Sequence, residues 1–359
     1  MRIKSIRARA VAAPMKRPLA TSTGALTASS LLLLDLQTDA GIAGRAYLFG
    51  LGAHNLRPIA ALVEAMAEMV QGDAVAPFDI EKKLRQRYTL LGAHNIVLFA
   101  MSGIDMAAWD ALGQAQGLPL VRMLGGTPRP IPAYNSKGLG IMSLKPLAKE
   151  ATELVKEGFS AVKLRLGRPR AADDLAALRT VNKAIGPNVF LMVDFNQGLT
   201  VAEAIKRGRM IDDEGGVTWI EEPVRADDFA GNARIAREVA TPIQIGENFM
   251  GPEQMAQALA AQACDYAMPD AQRIGGVTGW MRAAALAQAA GMEMSSHLFP
   301  EVSCHLLAVT PTCHWLEYVD WADAILEEPL RLKNGHALVP ERPGLGMRWN
   351  EKAVRKYQL

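Results

Sequence analysis

The sequence predicts an α/β protein built on a (β/α)8-type TIM barrel, with a smaller α+β domain before it and a tail after it. Three observations predict this. The chain has 359 residues, enough for one large barrel with an appendage. Beyond residue 126, short apolar runs alternate with helix-like stretches. Nearly every one of those runs ends on a polar or ionisable residue.

Residues 1–125 read as the α+β domain. Apolar and basic residues alternate over 2–12, a strand pattern that is expected to end before Pro14. Residues 31–37 and 43–48 flank Thr38-Asp39-Ala40-Gly41, a short hairpin connection. Helical apolar spacing follows over 56–71 and 95–113, the second stretch carrying Ala100, Met101, Ile104, Met106, Trp109 and Leu112. Strands first and helices after is the order of an α+β unit. Gly125-Gly126-Thr127-Pro128-Arg129-Pro130 is the clearest linker. Residues 126–320 then hold strand candidates at 131–134, 161–166, 189–193, 217–220, 243–245, 266–268, 292–295 and 314–316. Amphipathic segments such as 201–211 and 279–288 lie between them, at the spacing a barrel requires. Residues 321–359, with two turns rich in Gly and Pro, are expected to return and pack on the first domain.

Composition excludes several classes. Apolar residues are 50% and charged residues 21%, which fits a packed core. The 39 basic and 37 acidic residues leave a net charge of +2, so no nucleic-acid partner is expected. Cys264, Cys304 and Cys313 are odd in number and lack a C-x-x-C spacing, which reads as small buried thiols in a reducing cytoplasm. No apolar run is expected to reach the roughly 18 residues of a membrane helix. Leu31-Leu32-Leu33-Leu34 is closed by Asp35, and Arg2, Lys4, Arg7 and Arg9 lie in a strand rather than before a signal-peptide core. No membrane association is expected.

The chemistry lies at the strand ends. In order these are Ser136, Lys163, Asp194, Glu221, Glu247, Asp270, His297 and Glu317. In a barrel of this kind the C-terminal ends of the strands form the active-site face. One Asp after a strand is usually a helix N-cap. Capping does not explain a ring of such residues, nor Glu221-Glu222-Pro223 directly after Val217-Thr218-Trp219-Ile220. Asp194, Glu221 and Glu247 are 27 and 26 residues apart, one β/α unit each. Three inward carboxylates repel one another unless a cation sits among them. An all-oxygen set suits a hard cation, Mg2+ before Zn2+, with Mn2+ able to substitute. The structural alternative, ion pairing to Lys163 and Arg165, serves one carboxylate but not three. Lys163 and Arg165 are two apart on a strand and so share a face, directed at the pocket. Asp270 and His297 lie 27 residues apart, again one unit, and are therefore neighbours. A carboxylate beside an imidazole fixes its tautomer and raises its basicity, as a general base needs. His54, His94, His305, His314 and His336 read instead as buried histidines with satisfied hydrogen bonds. Leu298 and Val319 follow two of the strand-end residues and are expected to add apolar walls.

Taken together these residues resemble the enolase superfamily, mandelate racemase subgroup, over essentially the whole chain. The motifs are Lys163-Leu164-Arg165, Val193-Asp194-Phe195-Asn196-Gln197, Trp219-Ile220-Glu221-Glu222-Pro223, Ile245-Gly246-Glu247-Asn248, Met268-Pro269-Asp270, Ser295-Ser296-His297-Leu298 and His314-Trp315-Leu316-Glu317. Residues 275–280 and 295–299 are especially similar to the subgroup's racemase pattern. The resemblance implies a capping role for the first domain, completed by the tail, and a homo-oligomer. It implies Mg2+ on Asp194, Glu221 and Glu247, and a base dyad of Asp270 and His297. Lys163 and Glu317 would contact the carboxylate of a small-molecule substrate, and Ser136 and Asn196 would be polar substrate contacts. The superfamily joins a Lys or His base to Mg2+ to remove the proton α to a carboxylate, here from a small 2-hydroxy acid through an enediolate.

Two features pull the expected net reaction in opposite directions. Where the subgroup's racemase pattern has a second lysine as the opposite-face base, this chain has Arg165. A guanidinium is about 6 pKa units from neutrality, roughly 8 kcal/mol of extra cost for use as a base. That favours a dehydratase of a hydroxy acid or acid sugar using His297 and Asp270 as the single base. Leu19-Ala20-Thr21-Ser22-Thr23-Gly24-Ala25-Leu26 resembles the family's specificity flap, and it offers no Arg or Asp for sugar hydroxyls. That favours a compact or aromatic substrate and places racemisation narrowly first. A dinucleotide enzyme is disfavoured, because G-x-G-x-x-G after a strand and the P-loop pattern are both missing. A non-catalytic binding module would have no reason to keep the metal set, the dyad and Glu317 together.

Overall fold

The computed structural model describes residues 1–22 and 24–359. The N-terminal sheet is antiparallel, with β1 (Ile3–Thr21), β2 (Gly24–Thr38) and β3 (Ala43–Phe49) in that spatial order. Leu31, Leu32, Leu33 and Leu34 in central β2 are all buried. Successive strand residues point to opposite faces. The run is unbroken because both faces are covered: Leu34 and Leu48 meet Gly103 of a helix, while Tyr47 stacks on Phe299 of the barrel. β1 does not end before Pro14. It continues to Thr21 through a register shift between Pro14, opposite Ala28, and Leu19, opposite Leu26. Edge position makes this tolerable, since a proline lacks only the N–H that an edge strand need not pair.

Helices α1 (Ala53–Val70), α2 (Pro77–Arg87), α3 (Ile96–Gln116) and α4 (Leu120–Met123) follow. The sequence reading missed α2, whose apolar face is only Ile80 and Leu84. A tertiary ion pair supports it: Arg282 donates twice to Glu81, at 2.7 Å each. α3 corrects another expectation, because it is long and apolar enough to cross a membrane. It is instead the buried core helix of this domain.

The barrel strands are β4 (Pro130–Asn135), β5 (Ala161–Arg165), β6 (Phe190–Asp194), β7 (Trp219–Glu221), β8 (Ile243–Ile245), β9 (Tyr266–Ala267), β10 (Glu293–Met294) and β11 (Leu316–Tyr318). Between them run α5 (Leu144–Lys156), α6 (Ala171–Ile185), α7 (Val201–Glu214), α8 (Phe229–Glu238), α9 (Pro252–Ala260), α10 (Gly276–Ala290) and α11 (Pro300–Val309). Neighbouring strands are parallel and in chain order, and β11 returns to pair with β4. Backbone bonds from His314 N–H to Met294 C=O (3.0 Å) and Ser296 N–H to Trp315 C=O (2.9 Å) close the ring. The last strand begins at Leu316, two residues later than the apolar run suggests, and His314 stands before it.

The tail does two jobs. A hairpin of β12 (Leu332–Lys333) and β13 (His336–Leu338) adds antiparallel to the first barrel strand, opposite Pro130, Ile131 and Pro132. α12 (Glu351–Tyr357) then reaches the N-terminal sheet, where Arg9 binds Glu351 at 2.7 Å and Leu359 N–H meets Ala10 C=O.

Candidate active site

Strand periodicity builds the site. Residues two apart share the lumen face, so each polar residue at a strand end has a floor residue beneath it. Tyr134 lies two before Ser136, Ala161 before Lys163, Met192 before Asp194 and Trp219 before Glu221, and these four form one buried apolar cluster. Tyr134 and Trp219 meet edge to face at 5.5 Å. The ionisable ring therefore stands on a dry base, where its charges are weakly screened.

Asp194, Glu221 and Glu247 offer carboxylate oxygens that all lie within 4.8 Å of one another. Lys163 Nζ contacts Glu221 and also reaches Glu317 at 2.7 Å and Asp194 at 3.4 Å. Lys163 thus serves two of the three metal-set carboxylates, one more than ion pairing was expected to serve, and Glu317 besides. Arg165 pairs with none of the metal set. Its guanidinium donates to the carbonyls of Ser136 (3.0 Å) and Gly138 (2.7 Å) and to Ser136 Oγ (2.6 Å). Glu221 is fully buried, and desolvation with Asp194, Glu317 and Glu247 around it raises its carboxyl well above the ordinary range despite Lys163. Glu317 goes the other way: burial opposes its charge, but Lys163, His297 and Arg165 hold it far below the usual carboxylate range.

His297 and Asp270 are adjacent through a parallel bridge. His297 Nδ1 is 2.7 Å from Asp270 Oδ2, while Nε2 lies 3.4 Å from Glu247 and 3.8 Å from Glu317. Burial disfavours the charged ring, but Glu247, Glu317 and Asp270 outweigh it and push His297 up to about 9. Asn196 orients Asp194, donating from its backbone N–H (2.7 Å) and its Nδ2 (3.0 Å). Its own Oδ1 is buried without a partner.

A cavity of about 500 Å³ opens over this ring. Lys163, Arg165, Asp194, Asn196, Glu247, His297, Leu298 and Glu317 line it. Ser136, expected at the substrate, is fully buried and donates to Glu317 at 2.6 Å from behind. Val319 is not a wall of this cavity; it packs with Phe299 and Trp321 around a smaller void, because the chain turns away after Tyr318. From the flap, Leu19, Thr21, Gly24, Ala25 and Leu26 line the cavity, and Thr23 lies outside the described residues. The flap is the tip of the β1–β2 hairpin.

Several lining residues carry no obvious signal in the sequence. Phe49 and Trp321, with ring centroids 5.1 Å apart, arrive from β3 and from beyond the last barrel strand. Arg273 and Asn248 do sit beside recognised motifs, three after Asp270 and one after Glu247. Arg273 donates to the Glu247 carbonyl (3.1 Å) and to Asn248 Oδ1. The remaining histidines divide. His305 is buried and accepts from Val121 N–H at Nδ1 (3.3 Å) but its buried Nε2 has no partner, whereas His54 and His94 are exposed because their segments begin helices at the surface.

Comparison with known proteins matches two family models. Residues 4–125 match the mandelate racemase / muconate lactonizing enzyme N-terminal domain, and residues 146–353 match the enolase C-terminal domain-like family. An L-talarate/galactarate dehydratase from Salmonella typhimurium is 31% identical over 338 residues, 93% of this chain and 84% of that protein. Other relatives include a D-galactarolactone cycloisomerase from Agrobacterium fabrum (29% identical, 100% and 99% covered) and an L-Ala-D/L-Glu epimerase from Bacillus subtilis (26%, 82% and 80%). An enolase from alpha proteobacterium bal199, solved with bound Mg, superposes with TM-score 0.97 at 45% identity, covering 100% of this chain and 99% of that one. A Bradyrhizobium enolase solved with magnesium and mandelic acid gives TM-score 0.95 at 44% identity, covering 100% and 98%.

Proposed function

The chain belongs to the mandelate racemase / muconate lactonizing enzyme group of the enolase superfamily and is an enzyme; from that premise we propose that it removes the proton α to the carboxylate of a 2-hydroxy acid, with His297 as base, and completes a one-base dehydration. Asp194, Glu221 and Glu247 would hold Mg2+. The donor set fits: three oxygens converge, all hard, and burial leaves Glu221 short of compensating positive charge. Bound there, Mg2+ would offset the negative charge that builds on the substrate carboxylate as the α-proton leaves.

The chain's own residues do the rest. In the neutral ring, donation of Nδ1–H to Asp270 leaves the Nε2 lone pair facing the cavity. Nε2 takes the α-proton, and the imidazolium is stabilised by Asp270, Glu247 and Glu317. Where the substrate carries a 3-hydroxyl on the same face, the imidazolium returns that proton to the leaving oxygen. The C–O bond breaks, water departs, and the enol formed takes a solvent proton to become a 2-keto-3-deoxy acid. Lys163 would position the substrate carboxylate, Glu317 would hold Lys163 and the His297 imidazolium in place, and Asn196 Oδ1 is free to accept from a hydroxyl.

The observation that carries the one-base reading is the tethering of Arg165 to Ser136 and Gly138, which leaves no free base in its place. Racemisation remains the second reading. The apolar wall of Leu19, Leu26, Phe49, Leu298 and Trp321 favours it, as does the mandelic acid held by the Bradyrhizobium relative. Single enantiomers of 2-hydroxy and 2,3-dihydroxy acids in heavy water with Mg2+ decide between them. The expected result is α-proton exchange in one stereochemical series only, 2-keto acid from the dihydroxy substrate, and no exchange in His297→Asn. Loss of optical purity without keto acid would overturn dehydration in favour of the racemase.

A further inference from the structure

The flap tip rests on the same peptide group that orients a metal-site carboxylate. Ser22 Oγ donates to the Phe195 carbonyl at 2.8 Å. The N–H of that same peptide unit, Asn196 N–H, donates to Asp194 Oδ1 at 2.7 Å. A peptide group is a rigid plane, so a pull on its carbonyl is felt at its N–H. The Phe195 carbonyl also accepts from Gly198 N–H at 3.0 Å, and Ser22 takes its second lone pair.

The seat that receives the tip is built from three separate barrel loops. Ile141 N–H donates to Ala20 C=O at 2.8 Å. A Cβ at Gly140 would lie 2.8 Å from Ala20 O, one at Gly167 would lie 2.9 Å from Ser22 Cβ, and one at Gly198 would lie 2.8 Å from Ser22 Oγ. Glycine at these three positions leaves the space that Ala20 and Ser22 fill. At the stem, Lys16 binds Asp320 (3.1 Å) and Arg17 binds Glu153 (3.1 Å), which holds the hairpin over the barrel mouth.

We propose that Ser22 is a positioning residue that couples flap docking to the metal site: seating the flap aligns Asp194, and a metal on Asp194 in turn holds the flap down. The second half follows from the first, because coupling between two equilibria is reciprocal. This rests on the reading of Asp194, Glu221 and Glu247 as the metal site. It adds a selectivity device, since a substrate that keeps the flap seated would also tighten the metal that activates it.

The test uses Mn2+ as a spectroscopic probe on the full-length protein. Binding is followed by the electron paramagnetic resonance of free Mn2+, for wild type, Ser22→Ala and Gly140→Ala. Ser22→Ala should weaken Mn2+ by about tenfold, the lower end for loss of an outer-shell partner. Gly140→Ala, which wedges the flap without touching Asp194, should weaken it in the same direction. Backbone hydrogen exchange over residues 19–26 supplies a second readout. Added Mn2+ should slow it in wild type and leave it unchanged in Ser22→Ala. If wild type binds no Mn2+, the metal-site reading itself falls. If wild type binds and both variants bind equally well, with metal-dependent protection of the flap intact, the coupling is overturned and the metal site stands.

Discussion

Arg165 is the residue on which the net reaction turns. Its side chain lies under the cavity, but each of its bonds goes to the loop after β4. Arg165→Lys removes the fork that holds those carbonyls and supplies an amine whose pKa burial can bring near 7 to 8. We expect that variant to speed α-proton exchange in the slow enantiomer of a 2-hydroxy acid, measured by NMR in heavy water. Equal rates for both enantiomers in the wild type would show that a second base already operates. Glu247 faces His297 Nε2 at 3.4 Å and Arg273 at 3.9 Å, whereas Lys163 serves Asp194 and Glu221. Glu247→Gln should cost at least about tenfold in metal affinity, as loss of a direct ligand exceeds loss of an outer-shell one. It should also abolish exchange, as should excess chelator on the wild type; calorimetric titration with Mg2+ beside the exchange assay checks both.

At the level of elements, the contact between α3 and α10 joins the two domains and carries a titration of its own. Asp105 on α3 accepts from Thr278 N–H (3.0 Å) and Thr278 Oγ1 (2.5 Å) at the start of α10, and Trp109 Nε1 donates to the same hydroxyl (3.0 Å). Desolvation pushes the Asp105 carboxyl up to about 7, against the pull of those hydrogen bonds. The folded protein thus binds this proton more tightly than the unfolded chain, so stability falls as pH rises. The contribution is complete below about pH 4, the unfolded carboxyl value, and is lost as pH passes the folded value near 7. Asp105→Asn should flatten the decline in Tm between about pH 5 and about pH 8 by removing a penalty of at most about 4 kcal/mol. Thermal unfolding across that range is the measurement, and an undiminished slope would assign the effect elsewhere, for instance to Glu301, which burial also pushes up to about 7.

For the whole molecule, the chain ends hold the cap together. Arg9 on β1 binds Asp35 of β2 at 2.8 Å and Glu351 of the last helix at 2.7 Å, and Trp349 Nε1 donates to the other oxygen of Asp35 at 2.8 Å. A strand from the first few residues and a helix from the last few thus share one charge cluster, buried at Arg9 and Asp35 and open to solvent at Glu351. Arg9→Met leaves Asp35 without its main partner in a site that excludes most water. We expect a loss of about 2–4 kcal/mol, near the range for breaking a buried pair from one side, read as a shift in the urea midpoint. Activity per folded molecule should be little changed, because no atom of this cluster touches the cavity.

What the sequence determined by itself was whatever repeats with the backbone. A barrel strand alternates its side chains and recurs about once per 27 residues, so Lys163, Asp194, Glu221, Glu247, Asp270, His297 and Glu317 could be placed in one ring by counting. The strand-end polar residues and the floor two positions below them follow from the same period of two. Tertiary structure alone decided what counting cannot reach. Phe49 and Trp321 meet over the cavity from different domains, and Ser136 stands buried behind Glu317, outside the lining of the cavity. β1 runs on past Pro14 because it lies at a sheet edge, and α3 is core rather than membrane because a sheet and a barrel helix cover it. The flap shows the division most clearly. Its apolar composition is legible in eight letters, but its seat exists only where three loops, distant in sequence, leave out a Cβ against Ala20 and Ser22. Periodicity is a property of neighbours along the chain; contact between elements depends on how their surfaces close against one another.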